Sequence, residues 1–195
     1  MKQDGSTRDK ILVCARKLFF EKGYDTVGVQ EIVDTAGITK PTMYYYFKSK
    51  QGLLECLMED GVRKMLDELQ EHASKEGEFL ENLRSVTEWY LKIVAENQEM
   101  SLLLVSLFSS AKENEAFRTA KPYIVEFIDI IRAFFQRYAD TNPSFRGKED
   151  YLSVSYTGIV NMYVMVTFER GELSDQDKQK EFVENICRQF SGGCL

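Results

Sequence analysis

The chain has 195 residues, 44% hydrophobic and 29% charged, and a formal net charge of −6. That length allows one or two compact units with a real core, and the lack of any run of eighteen apolar residues excludes a membrane-spanning helix. The first twenty residues mix charge with apolar positions and contain no signal-peptide core, so a cytoplasmic protein with no membrane partner is expected.

Apolar residues recur at helical spacing almost throughout and only three prolines occur. Together these predict an all-α chain of about nine helices, a three-helix head followed by a larger helical body. Over 7–21, Ile11, Leu12, Ala15, Leu18 and Phe19 form one stripe, and Lys22-Gly23 ends the helix with a left-handed glycine. A short helix over 29–35 follows Gly28 and turns Ile32, Val33 and Ala36 inward, with Glu31 placed for a capping box. After a tight turn at Ala36-Gly37-Ile38, Thr39 caps a third helix that carries Pro41 in its first turn. A long helix over 51–73 ends before Glu76-Gly77. Further helices are expected over 78–95, 98–110, 117–138, 148–170 and 174–190.

Two short helices joined by a glycine-containing turn, with a third in front, form a helix-turn-helix arrangement. The charge agrees with a head that meets a polyanion: residues 1–50 carry nine Lys/Arg against six Asp/Glu, a net of +3 on a protein that is acidic as a whole. The run GYDTVGVQEIVDTAGITKPTMYYYFKSKQGLL resembles the head of TetR-family transcriptional repressors. Gly23, Tyr24, Ile32, Ala36, Gly37, Ile38, Thr42, Met43, Tyr44, Tyr46, Phe47, Lys50 and Leu53 match that pattern in order and spacing. The expected domains are a DNA-binding head over 1–50 and a ligand-binding and dimerisation body over 51–195, with helix 51–73 as the connector.

At 100° per residue, Met43 and Phe47 point the same way and form the core face of the third helix. Tyr45 lies opposite them, with Pro41 and Thr42 on either side, while Tyr44 and Tyr46 project sideways. The resemblance implies that Lys40, Pro41, Thr42, Tyr44, Tyr45 and Tyr46 line a DNA groove beside the capping Thr39, and that Lys50 holds a phosphate. Lys40 suits a guanine edge or the DNA backbone, and Gln30 an adenine or a phosphate. Family members often carry hydroxyls where this chain has Gly28 and Val29, and often an arginine where it has Gln30.

In the body, residues 151–168 are apolar nearly all round, as in a helix buried on more than one side. The resemblance implies a homodimer packed through the last two helices, with Gly158 permitting close approach. It also implies an apolar pocket for an unidentified small-molecule effector. Trp89, Phe108, Tyr123, Phe127, Tyr156, Asn161 and Tyr163 are its candidate lining, and plain core packing is the alternative for each. Asn161 stands out, because an amide in an apolar helix needs a partner.

The four cysteines read as free thiols. With one histidine, His72, read as a solvated surface residue, they offer no metal site. No nucleophile motif or phosphate-binding glycine loop is present, so neither an enzyme nor a cofactor is expected. The expected function is a dimeric repressor on a palindromic DNA operator, released by a small-molecule effector. The alternatives are a dimeric interaction module with a non-DNA-binding head and a ligand-independent regulator.

Overall fold

The computed structural model describes residues 6–108 and 114–191, apart from the side chain of Phe108. Among the described residues the chain forms nine α-helices and one 3₁₀ turn: α1 (Thr7–Lys22), α2 (Val29–Ala36), α3 (Lys40–Phe47), α4 (Lys50–Ala73), α5 (Phe79–Glu96), α6 (Gln98–Phe108), α7 (Glu115–Arg137), the 3₁₀ turn Pro143–Phe145, α8 (Glu149–Glu169) and α9 (Gln176–Ser191). The all-α expectation holds, and most helix ends fall within two residues of it. Residues 109–110 of the expected sixth helix, and Cys194, lie outside the described residues.

The chain divides into two compact units, Met1–Lys64 with Glu99–Ile124 and Met65–Gln98 with Val125–Leu195. This cut differs from the functional boundary expected at residue 50. It groups α6 and the first turns of α7 with the head, and it passes through α4 and α7.

In the first unit, α1 opens with a capping box. The Asp9 amide donates to Ser6 Oγ and the Ser6 amide to Asp9 Oδ2, each at 3.2 Å, so two otherwise orphaned donors are satisfied. The expected α1 stripe is buried in full. Gly23 has φ +80° and ψ 146°, a glycine-favoured conformation different from the left-handed helical one expected. Glu31 forms no capping box on α2 and pairs with Lys22 instead. Gly37 is left-handed, with φ 62° and ψ 41°. Around it, Ile38 N–H donates to Val33 O and Gly37 N–H to Asp34 O, which is the Schellman pair that stops α2 and aims the chain into α3.

In the second unit, α5 packs against α9 and α8 around an aromatic cluster. The Phe79 ring lies 4.8 Å from Phe145, 5.3 Å from Tyr138, 5.9 Å from Phe134 and 6.0 Å from Phe135. Phe135 continues the cluster to Tyr156 and Phe190. Asn82 Nδ2 donates to Tyr138 Oη at 2.6 Å and to Lys75 O at 2.9 Å, and Tyr138 Oη donates to Gly77 O at 3.1 Å. The turn between α4 and α5 is thereby tied to the end of α7 by groups that would be costly to bury unpaired.

His72 is less solvated than the sequence suggested. It stacks on Trp89 at 5.3 Å, and partial burial together with the nearby Lys75 lowers its pKa. Replacement of the fully buried Phe135 by alanine is expected to cost about 3–5 kcal/mol, measured by urea denaturation of the purified protein.

Candidate functional site

α3 is eight residues long, and only Met43 and Phe47 are buried, at 0% and 3% exposure. Tyr45 is 74% exposed, Tyr44 42% and Tyr46 39%. This order follows helical geometry, since a residue 180° from the buried stripe has nothing of its own chain to cover it. Thr39 Oγ1 accepts the Thr42 amide at a long 3.4 Å, and the two hydroxyls meet at 2.9 Å. Pro41 sits in the first turn, where its missing N–H breaks no helical bond. Lys40 is exposed beside it. Gln30 is exposed on α2 and donates to Asp34 Oδ1 at 2.8 Å, so its amide is oriented by its own helix.

Lys50 is half-buried and committed to the fold. Its Nζ donates to Tyr24 O at 3.0 Å and Val27 O at 3.1 Å, and sits 4.2 Å from the centroid of the Tyr24 ring. An ammonium has three N–H groups, and two of them are taken by these carbonyls. The ring beneath it is fixed in turn: Tyr24 Oη donates to Glu115 at the start of α7, and burial beside that carboxylate pushes the phenol pKa well above its usual range. Asn114 Nδ2 donates to Asp25, and Arg16 Nε to Glu99 Oε2 at 2.9 Å. Within the first unit the α1–α2 turn is therefore held by Lys50 at the start of α4 and by residues 114 and 115 at the start of α7, and α1 itself is tied to α6. Sequence reasoning missed Glu115, Asn114 and Glu99, because these contacts span 83 to 91 positions and no local pattern marks them.

Gly52 was missed as well. A Cβ there would lie 2.1 Å from the Phe47 carbonyl oxygen, so only glycine lets the end of α3 close onto the first turn of α4.

The expected ligand-lining residues do not form one group. Tyr123 belongs to the first unit, where it donates to Glu59 Oε2 at 3.0 Å under the Arg63 guanidinium. Trp89 faces His72 and donates to Glu68 at 3.3 Å. Tyr156 is fully buried and shares a 3.0 Å hydrogen bond with Thr87. Tyr163 stacks on Phe182 at 3.7 Å. Phe127 and Asn161 are brought together by Tyr90, whose ring lies 5.6 Å from Phe127 and whose hydroxyl donates to Asn161 Oδ1. Asn161 thus finds its partner within its own chain. The backbone of Phe108 ends α6, and its side chain lies outside the described residues. The buried hydroxyls of Thr157 and Tyr163 have no hydrogen-bond partner among the described residues. Thr157, one turn before Asn161, is a residue that the sequence did not single out.

A buried two-residue stripe under an exposed aromatic face, preceded by a Schellman turn and a second short helix, defines the helix-turn-helix class of regulators. Comparison with known proteins agrees. Residues 11–57 match the family model of bacterial regulatory proteins of the tetR family. The activator FasR of Mycolicibacterium smegmatis is 25% identical over 92 residues, 47% of this chain and 42% of that one. Sequence relatives are spanned over 28% to 64% of their own lengths. Solved structures match over nearly the whole chain. The fatty acid degradation regulator FadR of Bacillus halodurans superposes with a TM-score of 0.78 at 18% identity over 98% of both chains. FadR of Bacillus subtilis in complex with stearoyl-CoA gives 0.73 at 16% identity, covering 95% of this chain and 98% of that one. Residues 11–57 thus match the tetR family, and the chain as a whole shares its fold with solved regulators of that kind.

Replacing Lys50 by methionine preserves length and removes the ammonium from two carbonyls and a ring face. The loss expected is about 1–3 kcal/mol, read by urea denaturation. A change below about 0.5 kcal/mol would show that water replaces the ammonium at no cost.

Proposed function

We propose that this protein is a transcriptional repressor that binds a palindromic DNA operator as a homodimer and is released by a small-molecule effector. The observation that carries the DNA-binding reading is the exposure of Tyr45, opposite the buried Met43 and Phe47. It leaves α3 free to enter a major groove with Lys40, Thr42 and Tyr45 towards the bases. Thr39, Pro41, Tyr44, Tyr46 and Gln30 border that face, and the third N–H of Lys50 serves a phosphate.

Dimerisation is supported by α8. Its apolar residues Val154, Met162 and Tyr151 are 60%, 59% and 56% exposed, and Met165 lies on the same side. Gly158 stands in that row, and a Cβ there would meet nothing within 4 Å. An exposed stripe of this kind fits a partner subunit, and α9 completes the pairing surface. Two heads joined in this way would read half-sites about 34–36 Å apart.

An effector is supported by the unpartnered hydroxyls of Thr157 and Tyr163 in the second unit. Thr157, one turn before Asn161, joins Asn161 and Phe127 as the candidate lining, apolar with few polar handles. A structural neighbour was solved with stearoyl-CoA, so long-chain acyl thioesters are the first class to test. Release follows if the effector favours a spacing of the heads that no longer matches successive grooves, a shift limited by its differential affinity for the two states. α4, which contributes to both units, is the connecting lever.

The direct test is a gel shift on the DNA upstream of the protein's own coding sequence. Binding should depend on a palindrome and weaken steeply with salt, and an acyl thioester should release it. Absence of palindrome-dependent binding would sink the DNA reading and favour a dimeric interaction module. Binding indifferent to every acyl thioester would favour ligand-independent regulation. Met162→Glu places a charge in the proposed seam. It should yield monomers in sedimentation velocity while helicity stays unchanged, and a protein that remains dimeric would refute this seam.

A further inference from the structure

The turn from α3 into α4 holds the one non-glycine residue with positive φ among those described. Lys48 has φ +66° and ψ −40°, and across it Ser49 N–H donates to Phe47 O at 2.7 Å. A bond from residue i to i+2 around that conformation is a γ-turn of the rare, strained form. Glycine would adopt it freely. Lysine does not, so what its side chain does there is the question.

That side chain folds back along α3. Nζ donates to Tyr45 O at 3.2 Å and lies 6.0 Å from the centroid of the Tyr45 ring. The Tyr46 ring makes an edge-to-face contact with Tyr45, with centroids 5.1 Å apart and planes at 81°. The most exposed of the three tyrosines is therefore in contact with both a cation and a neighbouring ring. A cation is also favoured where it stands, at the carbonyl end of a helix.

We infer that Lys48 is a positioning residue for Tyr45: the strained turn returns its ammonium to the Tyr45 backbone and ring, and so orders the tyrosine before DNA arrives. Ordering a side chain in advance removes part of the entropy lost on binding, and an exposed tyrosine on an eight-residue helix has much to lose. The consequence for DNA rests on the operator-binding reading above. The order of the ring in the free protein does not.

Lys48→Gly separates the two roles of the residue, because it relieves the backbone and deletes the ammonium. The variant should keep its cooperative thermal unfolding and lose about three- to tenfold in operator affinity. Lys48→Arg, which retains a cation over the ring, should bind within about twofold of the wild type. In a Tyr45→Ala background Lys48→Gly should cost nothing more. An equal loss in both backgrounds, with the log–log salt slope reduced by about one, would identify a phosphate contact and overturn the inference. Unchanged affinity of Lys48→Gly would also overturn it. Relaxation of the ring-labelled tyrosines, with Tyr45 assigned through Tyr45→Phe, should show a more mobile Tyr45 ring in DNA-free Lys48→Gly. An unchanged ring would refute the positioning role whether or not DNA binds. Failure of the wild type to bind any palindrome would strike only the functional reading and leave the ring measurement to decide this one.

Discussion

What the head presents outward depends on two side chains that point inward. α3 is too short to be stable alone, and Met43 and Phe47 are its only buried residues. Burying each contributes about 1.5–3 kcal/mol, more than the exposed contacts on the opposite face, so these two set how the helix is rotated about its axis. A rotation by one residue, 100°, would carry Tyr44 or Tyr46 towards the core and swing Tyr45 away from the outermost position. The face that α3 presents is thus specified from behind, by the packing beneath it. Gly52 completes the seat by letting Phe47 and its carbonyl close onto α4.

Charge on the head sorts in a similar way. Arg8 and Arg16, counted in the positive excess of the first fifty residues, pair with Asp60 and Glu99 just outside that stretch. Lys22 pairs with Glu31, and Lys50 is turned onto two carbonyls and a ring. The cations that remain on the tyrosine-bearing helix and its cap are Lys40 and Lys48. Formal charge along the sequence therefore overstates the field at the interface, because several cations are neutralised by partners that sequence position does not reveal.

Much of this was legible in the sequence. The α1 stripe, the inward residues of α2, the cap at Thr39 and the division of α3 into a buried and an exposed face all follow from a period of 3.6 and local capping rules. Local rules fail where tertiary structure overrides them. Lysine is a poor choice for positive φ, so no propensity argument predicts the turn at Lys48. Glu31 satisfies the spacing of a capping box, yet Lys22 claims its carboxylate. In the body, the need of Asn161 for a partner could be read from its apolar surroundings, whereas the partner, Tyr90, is 71 positions away. Aromatic spacing marks faces that avoid water without saying which neighbour covers them, which is why Trp89, Tyr123 and Tyr156 ended in separate surroundings.

α8 carries the sequence logic furthest beyond a single chain. Leu152, Tyr156, Val160 and Val164 are buried, while Tyr151, Val154, Met162 and Met165 are exposed on the same helix. An ordinary amphipathic helix would place charge on that second side. Here the apolar side chains continue around the helix, interrupted by Gly158 rather than by a lysine or glutamate. Solvent gives no reason for such a surface, and a monomer would carry it as a liability. The proposed second subunit would give the reason. The unbranched, flexible methionines at 162 and 165 suit it, since they adapt to an irregular apposed surface. A glycine between the tyrosine and methionine ends of the row would let two helices approach closely where they cross. On this view the apolar back of α8 and the aromatic front of α3 have one origin: each is a face its own chain leaves uncovered.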